Sequence, residues 1–138
     1  MTINPPAPKP CESCPYRKDV PSGVWSEGEY RKLPRYDLPT AEQPHSSFQC
    51  HQTDQKSPRK RLCAGWVACH GSELLSLRLE VAMGQVDPSV LDYGTPTPVF
   101  GSGEEACAHG VKDIEHPGKK ARALVRKISA SRADVQFK

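Results

Sequence analysis

Apolar positions recur at helical spacing in only a few stretches of this chain, and each stretch is short. The most apolar runs from Glu73 to Met83, through Leu74, Leu75, Leu77, Leu79 and Val81, with Ser72 as candidate N-cap and Gly84 as the stop. Its leucines fall nearly all round a helical wheel, which predicts a buried helix. From Gly118 to about Ala130, Ala121, Leu124, Val125 and Ile128 share one face, with Lys119, Arg122, Arg126 and Lys127 opposite, which predicts an amphipathic helix. Ser26-Glu-Gly-Glu29 has the capping-box pattern, so a short helix is expected from Glu27 to Leu33, before Pro34. Asp87-Pro88 reads as an N-cap with proline in the first helical position, and Glu104 to His109 as one further turn.

Between these pieces lie loops. Residues 34–49 deliver Phe48 and Cys50, residues 51–61 are polar and basic and read as exposed, and residues 94–103 are rich in glycine, proline and threonine. Leu62-Cys63-Ala-Gly65-Trp66 follows the basic loop, and no alternating strand pattern or internal repeat is visible. The expected fold is mostly α with extensive irregular loops, a small single domain organised around a Cys-ligated metal centre. Residues 1–10, with four prolines, read as a disordered arm. Residues 11–116 form the metal-binding domain, and residues 117–138 a basic amphipathic C-terminal helix.

The metal enters because the apolar content is low. Hydrophobic residues make up 36% of 138, aromatics 7%, and fourteen prolines and ten glycines interrupt the rest. A core that thin needs a staple, and six cysteines are available. Met1 to Pro10 has no apolar h-region, and no stretch approaches the roughly 20 apolar residues of a membrane span. The expectation is a cytoplasmic protein with no membrane association. There thiols stay reduced, and cysteine patterns mean metal or catalysis more often than disulfides.

The spacing is C-x2-C, then thirty-five residues to Cys50, twelve to Cys63, five to Cys69, and finally Cys107. A C-x2-C turn brings two thiolates to one metal while backbone amides face the sulfurs. Cys11, Cys14, Cys50 and Cys63 are therefore the expected ligands. Four thiolates suit a tetrahedral zinc ion or an iron–sulfur cube. The proline after Cys14 and the scattered single ligands make the iron–sulfur cluster first choice and zinc second. Cys69 reads as a small buried hydrophobe, with metal ligation the alternative, and Cys107 as a free thiol. His51 and His70, each beside a cysteine, are candidate ligands or donors to a coordinating sulfur. His45 and His116, each beside a proline, read as solvated.

Formal net charge is +3, but it is segregated. Residues 1–70 carry ten Lys/Arg against seven Asp/Glu, residues 71–116 two against eight, and residues 117–138 seven against one. Lys56, Arg59, Lys60 and Arg61 beside Cys63, with Lys119, Arg122 and Arg126 in the tail, are candidate contacts for a polyanion. The plain alternative is a solvated surface. No phosphate loop, zinc-protease helix or nucleophile elbow is present, so no residue is assigned a catalytic role.

Three blocks also carry a resemblance: Cys11-x-x-Cys14-Pro-Tyr-Arg17-Lys-Asp-Val-Pro-Ser-Gly-Val-Trp25, then Phe48-x-Cys50-His51-Gln52, then Leu62-Cys63-Ala-Gly-Trp66. Over roughly residues 10–84 the chain resembles an uncharacterised four-cysteine family of actinobacteria and their phages. The resemblance implies the four-cysteine core and such a source, and no activity. A weaker likeness is to the WhiB-like iron–sulfur regulators, through Cys63-x5-Cys69, Ala64-Gly-Trp66 and the basic last helix. In those proteins the C-x2-C directly precedes the x5 spacing, whereas here it lies far upstream.

The function expected is a non-enzymatic regulator or adaptor of a host protein or nucleic acid. The alternatives are a redox iron–sulfur protein and a structural zinc domain of a larger assembly.

Overall fold

Proline and glycine cut this chain into short helices joined by turns that pack as tightly as the helices do. The computed structural model describes residues 3–50 and 61–131. Helix α1 is Glu27–Arg31, α2 Ala64–His70, α3 Leu75–Ala82, α4 Gly103–Val111 and α5 Lys119–Ser131. Turns of 3-10 helix at Leu33–Asp37, Thr40–Glu42, Gly71–Glu73 and Pro88–Asp92 connect them. Among the described residues, strand pairing is limited to isolated bridges, Asn4 with Arg61, Arg17 with Val99 and Gln49 with Leu62. The protein is a small, mostly helical single domain, and none of its described helices is long and apolar enough to cross a membrane.

The core is aromatic at its centre. Trp66, Tyr16, Tyr30, Leu33, Leu62, Leu74 and Leu77 are among its largest fully buried side chains. Tyr36 meets Trp66 edge-on at 5.4 Å and Phe48 at 6.4 Å, and Tyr16 meets Phe48 at 6.0 Å. Few but large rings let a chain with little apolar sequence enclose a dry interior. Helix α1 packs on α4 because Gly110 leaves room for the Tyr30 ring, where any Cβ would overlap it. The Tyr30 hydroxyl then accepts from the Val24 and Trp25 backbone N–H groups, both at 3.1 Å.

Several elements differ from the sequence pattern, each for a local reason. Helix α1 ends at Arg31, and Ser26 makes no side-chain cap, so the capping box does not form. The chain tightens into the 3-10 turn containing Pro34, which a proline near the start of a helix tolerates. The Cys63–Trp66 run, to which the sequence pattern assigns no element, opens α2, whose Trp66 and Val67 are buried. Such a short helix is held by packing rather than by propensity. Ser72 lies in a 3-10 turn and Leu74 precedes α3, so the expected N-cap is not used. Helix α3 buries Leu77 but leaves Leu79 44% and Met83 69% exposed, so it is a half-covered helix and not the buried one. By contrast, the Asp87 side chain accepts from Ser89 N–H as expected, and α5 follows the expected bounds.

Residues 3–10, expected as a disordered arm, run extended along the body. Ile3 N–H donates to Gln85 C=O at 2.8 Å, Leu62 N–H to Asn4 C=O at 3.2 Å, and the Tyr93 hydroxyl to Ala7 C=O at 2.6 Å. Pro10 is fully buried. Proline forbids helix but suits an extended segment whose carbonyls are used by other elements. Helix α5 seats Ala121 and Ile128 in the core, and Lys127 pairs with Glu12 at 2.5 Å, which sets the helix beside the first cysteine turn.

Candidate metal centre

Two local structures bring four cysteines to one place. The first is the Cys11–Cys14 turn, closed by Cys14 N–H donating to Cys11 C=O at 3.0 Å and followed by Arg17 N–H to Cys14 C=O at 3.1 Å. It is braced from two sides. The Trp25 indole N–H donates to Ser13 C=O at 2.8 Å, and the Arg17 guanidinium donates to Pro10 C=O at 3.0 Å while pairing with Asp19.

The second is the antiparallel bridge between Gln49 and Leu62. Cys50 N–H donates to Arg61 C=O at 2.8 Å and Cys63 N–H to Phe48 C=O at 2.9 Å. Side chains alternate along extended chain, so Cys50 and Cys63, each one step from the bridged pair, lie on the same side of it. Cys63 is also the residue before α2, and Val67 N–H donates to its carbonyl at 3.1 Å.

The turn and the bridge meet through sulfur. Cys14 Sγ lies 3.7 Å from Cys63 Sγ, both residues being buried. The Cys11 thiol is close enough to Cys14 and Cys50 for both to act on its ionisation, and Ser13 Oγ lies 3.7 Å from the Cys11 sulfur. The Cys11 thiol is pushed up to about 11, first by Cys14, then by burial, against a lowering by Cys50. For Cys14 the largest single influence, Cys11, lowers the thiol, but Cys63 and burial together hold it well above the usual range. Among the described residues, no three His, Cys, Asp or Glu side chains stand in an arrangement ready to hold a metal ion.

Around these sulfurs the packing is close. A Cβ on Gly65 would overlap Cys14 Sγ and come within 2.8 Å of Tyr16 Cβ. Only glycine lets the first turn of α2 pass this near the Cys14 sulfur.

The remaining candidates are placed elsewhere. Cys69 is half-buried, its thiol pushed up to about 12 by burial and by the nearby Asp37 and Glu105 carboxylates. Cys107 is buried in the core, with Arg31 at 3.8 Å from its sulfur. His51, Lys56, Arg59 and Lys60 lie outside the described residues. Arg61 is half-buried beside the bridge, while Lys119, Arg122 and Arg126 are exposed on α5, and His45 and His116 are exposed.

His70 belongs to a network that the sequence pattern did not indicate. Its side chain is only 6% exposed, with Nδ1 3.6 Å from Asp37 and Nε2 2.9 Å from the Tyr16 hydroxyl. Burial lowers the imidazole to about 4, against the opposing pull of Asp37. The ring is therefore neutral at pH 7, with Nδ1 facing the carboxylate and Nε2 hydrogen-bonded to the Tyr16 hydroxyl. Asp37 in turn accepts from the Gly103 and Glu104 N–H groups at 2.7 and 2.8 Å, capping α4. The Tyr16–His70–Asp37 chain thus ties the cysteine turn to α4. Tyr16 is fully buried, so this chain positions helices and presents no nucleophile to a substrate.

No curated protein and no solved structure gives a significant match to the chain. A family model described as a family of unknown function, DUF6283, matches residues 6–132. That span takes in the second half of the docked arm, all four clustered cysteines and α5, and the chain belongs to this family of unknown function.

Proposed function

We propose that Cys11, Cys14, Cys50 and Cys63 bind one zinc ion as thiolates, and that this centre staples a non-enzymatic adaptor domain. The observation that supports zinc is the 3.7 Å separation of the Cys14 and Cys63 sulfurs. Zinc–sulfur bonds of about 2.3 Å in a tetrahedron put neighbouring sulfurs about 3.8 Å apart. An iron–sulfur cube gives each thiolate its own iron, so the sulfurs stand well beyond mutual contact. The pairwise contacts then need only side-chain rotation to point at one centre, with the backbone of turn and bridge already in place. Deprotonation of the four thiols accompanies binding, which inverts the raised pKa values of Cys11 and Cys14.

The centre joins segments remote in sequence, which suits a chain whose apolar content is only 36%. The surface offered to a partner is α5. Lys119, Lys120, Arg122 and Arg126 are exposed on it, and no acidic residue lies within Lys119–Ser131. Because Ala121 and Ile128 are already buried, the helix has its apolar side committed to the core, and Lys119, Lys120, Arg122 and Arg126 face outward for a polyanion, nucleic acid or an acidic host protein. The setting in this reading is the reducing cytoplasm of an actinobacterial or phage-infected cell.

The iron–sulfur reading keeps one supporting feature, Pro15 directly after Cys14, together with the weaker likeness to WhiB-like regulators. Elemental analysis and a visible spectrum of anaerobically purified protein separate the two. A colourless protein with one zinc per chain is expected. A brown protein that bleaches with dithionite would replace zinc by a cluster.

A further inference from the structure

We infer that the centre carries its own covalent substitute, with oxidation expelling the metal and leaving disulfides Cys11–Cys50 and Cys14–Cys63 in its place. This deepens the zinc reading and rests on it for the metal, but the pairing of sulfurs starts from the contact of Cys14 with Cys63. Cys14 and Cys63 already have their sulfurs in contact at 3.7 Å. Forming a bond of about 2.0 Å closes that gap by a side-chain movement of less than two ångströms, on the order of a small χ1 rotation. Cys11 is left with Cys50, the remaining half-buried cysteine, which is near enough to act on the Cys11 thiol.

Two other pairings exist. Joining Cys11 to Cys63 and Cys14 to Cys50 would break the contact of Cys14 with Cys63. Joining Cys11 to Cys14 would leave Cys50 and Cys63 as the second pair. Those two are diagonal across the Gln49–Leu62 bridge, and diagonal neighbours stand about 7–8 Å apart. That exceeds the Cα separation of about 4.4–6.8 Å that a disulfide spans.

Access orders the steps. Cys11 and Cys50 are half-buried, whereas Cys14 and Cys63 are 1% and 2% exposed. A peroxide oxidant therefore reaches the outer pair first. One outer thiolate attacks hydrogen peroxide, breaking the O–O bond to give a sulfenic acid and hydroxide. The other outer thiolate displaces a second hydroxide and the disulfide forms. The inner pair repeats the sequence with a second peroxide. Four thiolates lose four electrons, two peroxides become four hydroxides, and zinc leaves unchanged in oxidation state. Both crosslinks join the Cys11–Cys14 turn to the bridge, as the metal does, so the fold survives while the metal is lost.

The test uses the full-length zinc-loaded protein treated with hydrogen peroxide. Zinc release is followed with a chromogenic chelator, crosslinks by non-reducing peptide mapping, and helicity by circular dichroism. Expected are complete zinc release, crosslinked peptides Cys11–Cys50 and Cys14–Cys63, and helicity that persists with chelator but collapses when a reductant is added. A Cys11–Cys14 crosslink, oxidation to sulfinic or sulfonic acids, or loss of helicity on oxidation overturns the inference. The same mapping on reduced, metal-free protein separates the two readings. Both crosslinks appearing in a chain that never binds zinc supports the pairing while removing the zinc proposal.

Discussion

Gly65 passes so close to Cys14 that the Cys14 sulfur occupies the space a side chain at residue 65 would need. The contact is made by the first turn of α2, immediately after Cys63, so the helix that begins at one cysteine is seated against another. Position 65 should therefore be intolerant of even one methyl group. Gly65→Ala is expected to destabilise the fold by about 1–3 kcal/mol, as overpacking does, and to weaken metal retention. Chemical denaturation and metal content measured on the same sample check this. A variant as stable and as fully loaded as the parent would show that α2 can move away from Cys14 freely.

The clustered cysteines and the outlying ones should behave differently. Cys14→Ser or Cys63→Ser is expected to abolish metal loading, because each removes a ligand from the inner, buried pair. Cys107→Ser should leave metal stoichiometry intact and cost about 1–2 kcal/mol for burying a hydroxyl in the core. Elemental analysis of the three variants decides, and loss of metal from the Cys107 variant would contradict the ligand set.

Much of the candidate site is legible in the sequence, and the reason is chemical. Cysteine in the C-x2-C turn, with Cys50 and Cys63 in unusual local sequence, stands out by residue type, and the fold brings the turn to the bridge at Cys14 and Cys63. Amphipathic α5 is legible because its pattern runs for more than three turns. What stays hidden depends on contacts between distant segments. Helix α2 holds glycine, valine and tryptophan and exists because Trp66 is enclosed by the core. Asp37 has the sequence setting of a loop residue, yet it caps α4, 66 residues further on. The arm reads as disordered because its partners, Gln85, Leu62 and Tyr93, are far along the chain.

The Tyr16–His70–Asp37 chain makes stability depend on pH in a definite direction. The folded-state value of His70, about 4, lies below its ordinary 6.5. Its neutral form thus favours the fold fully above pH 6.5, and this contribution is lost as pH falls towards 4. The shift amounts to at most about 3 kcal/mol. Denaturation at pH 7 and pH 4.5 is expected to show a larger loss for the parent than for His70→Gln, which has no titrating ring. Comparing the two proteins separates the histidine from acid release of the proposed metal, which would act on both alike. Equal losses would remove His70 as the acid-sensitive group.

The cationic side of α5 should reveal itself through salt. Binding of a labelled nucleic-acid duplex, followed by fluorescence anisotropy, is expected to weaken steeply between about 50 and 200 mM salt, as counterion release requires. Replacing Lys119, Arg122 and Arg126 by alanine should weaken binding and flatten that dependence by roughly one unit of log–log slope for each phosphate no longer neutralised. The helix should be retained, since its buried residues, Ala121 and Ile128, are untouched. Binding that ignores these substitutions would move the polyanion contact off α5.

The most direct measurement is X-ray absorption of freshly isolated full-length protein at the zinc edge, with metal stoichiometry on the same sample. Four sulfur neighbours at about 2.3 Å around one zinc per chain is the result that the convergence of Cys11, Cys14, Cys50 and Cys63 requires. A shell containing nitrogen or oxygen, an iron signal in place of zinc, or a folded chain carrying no metal would contradict it.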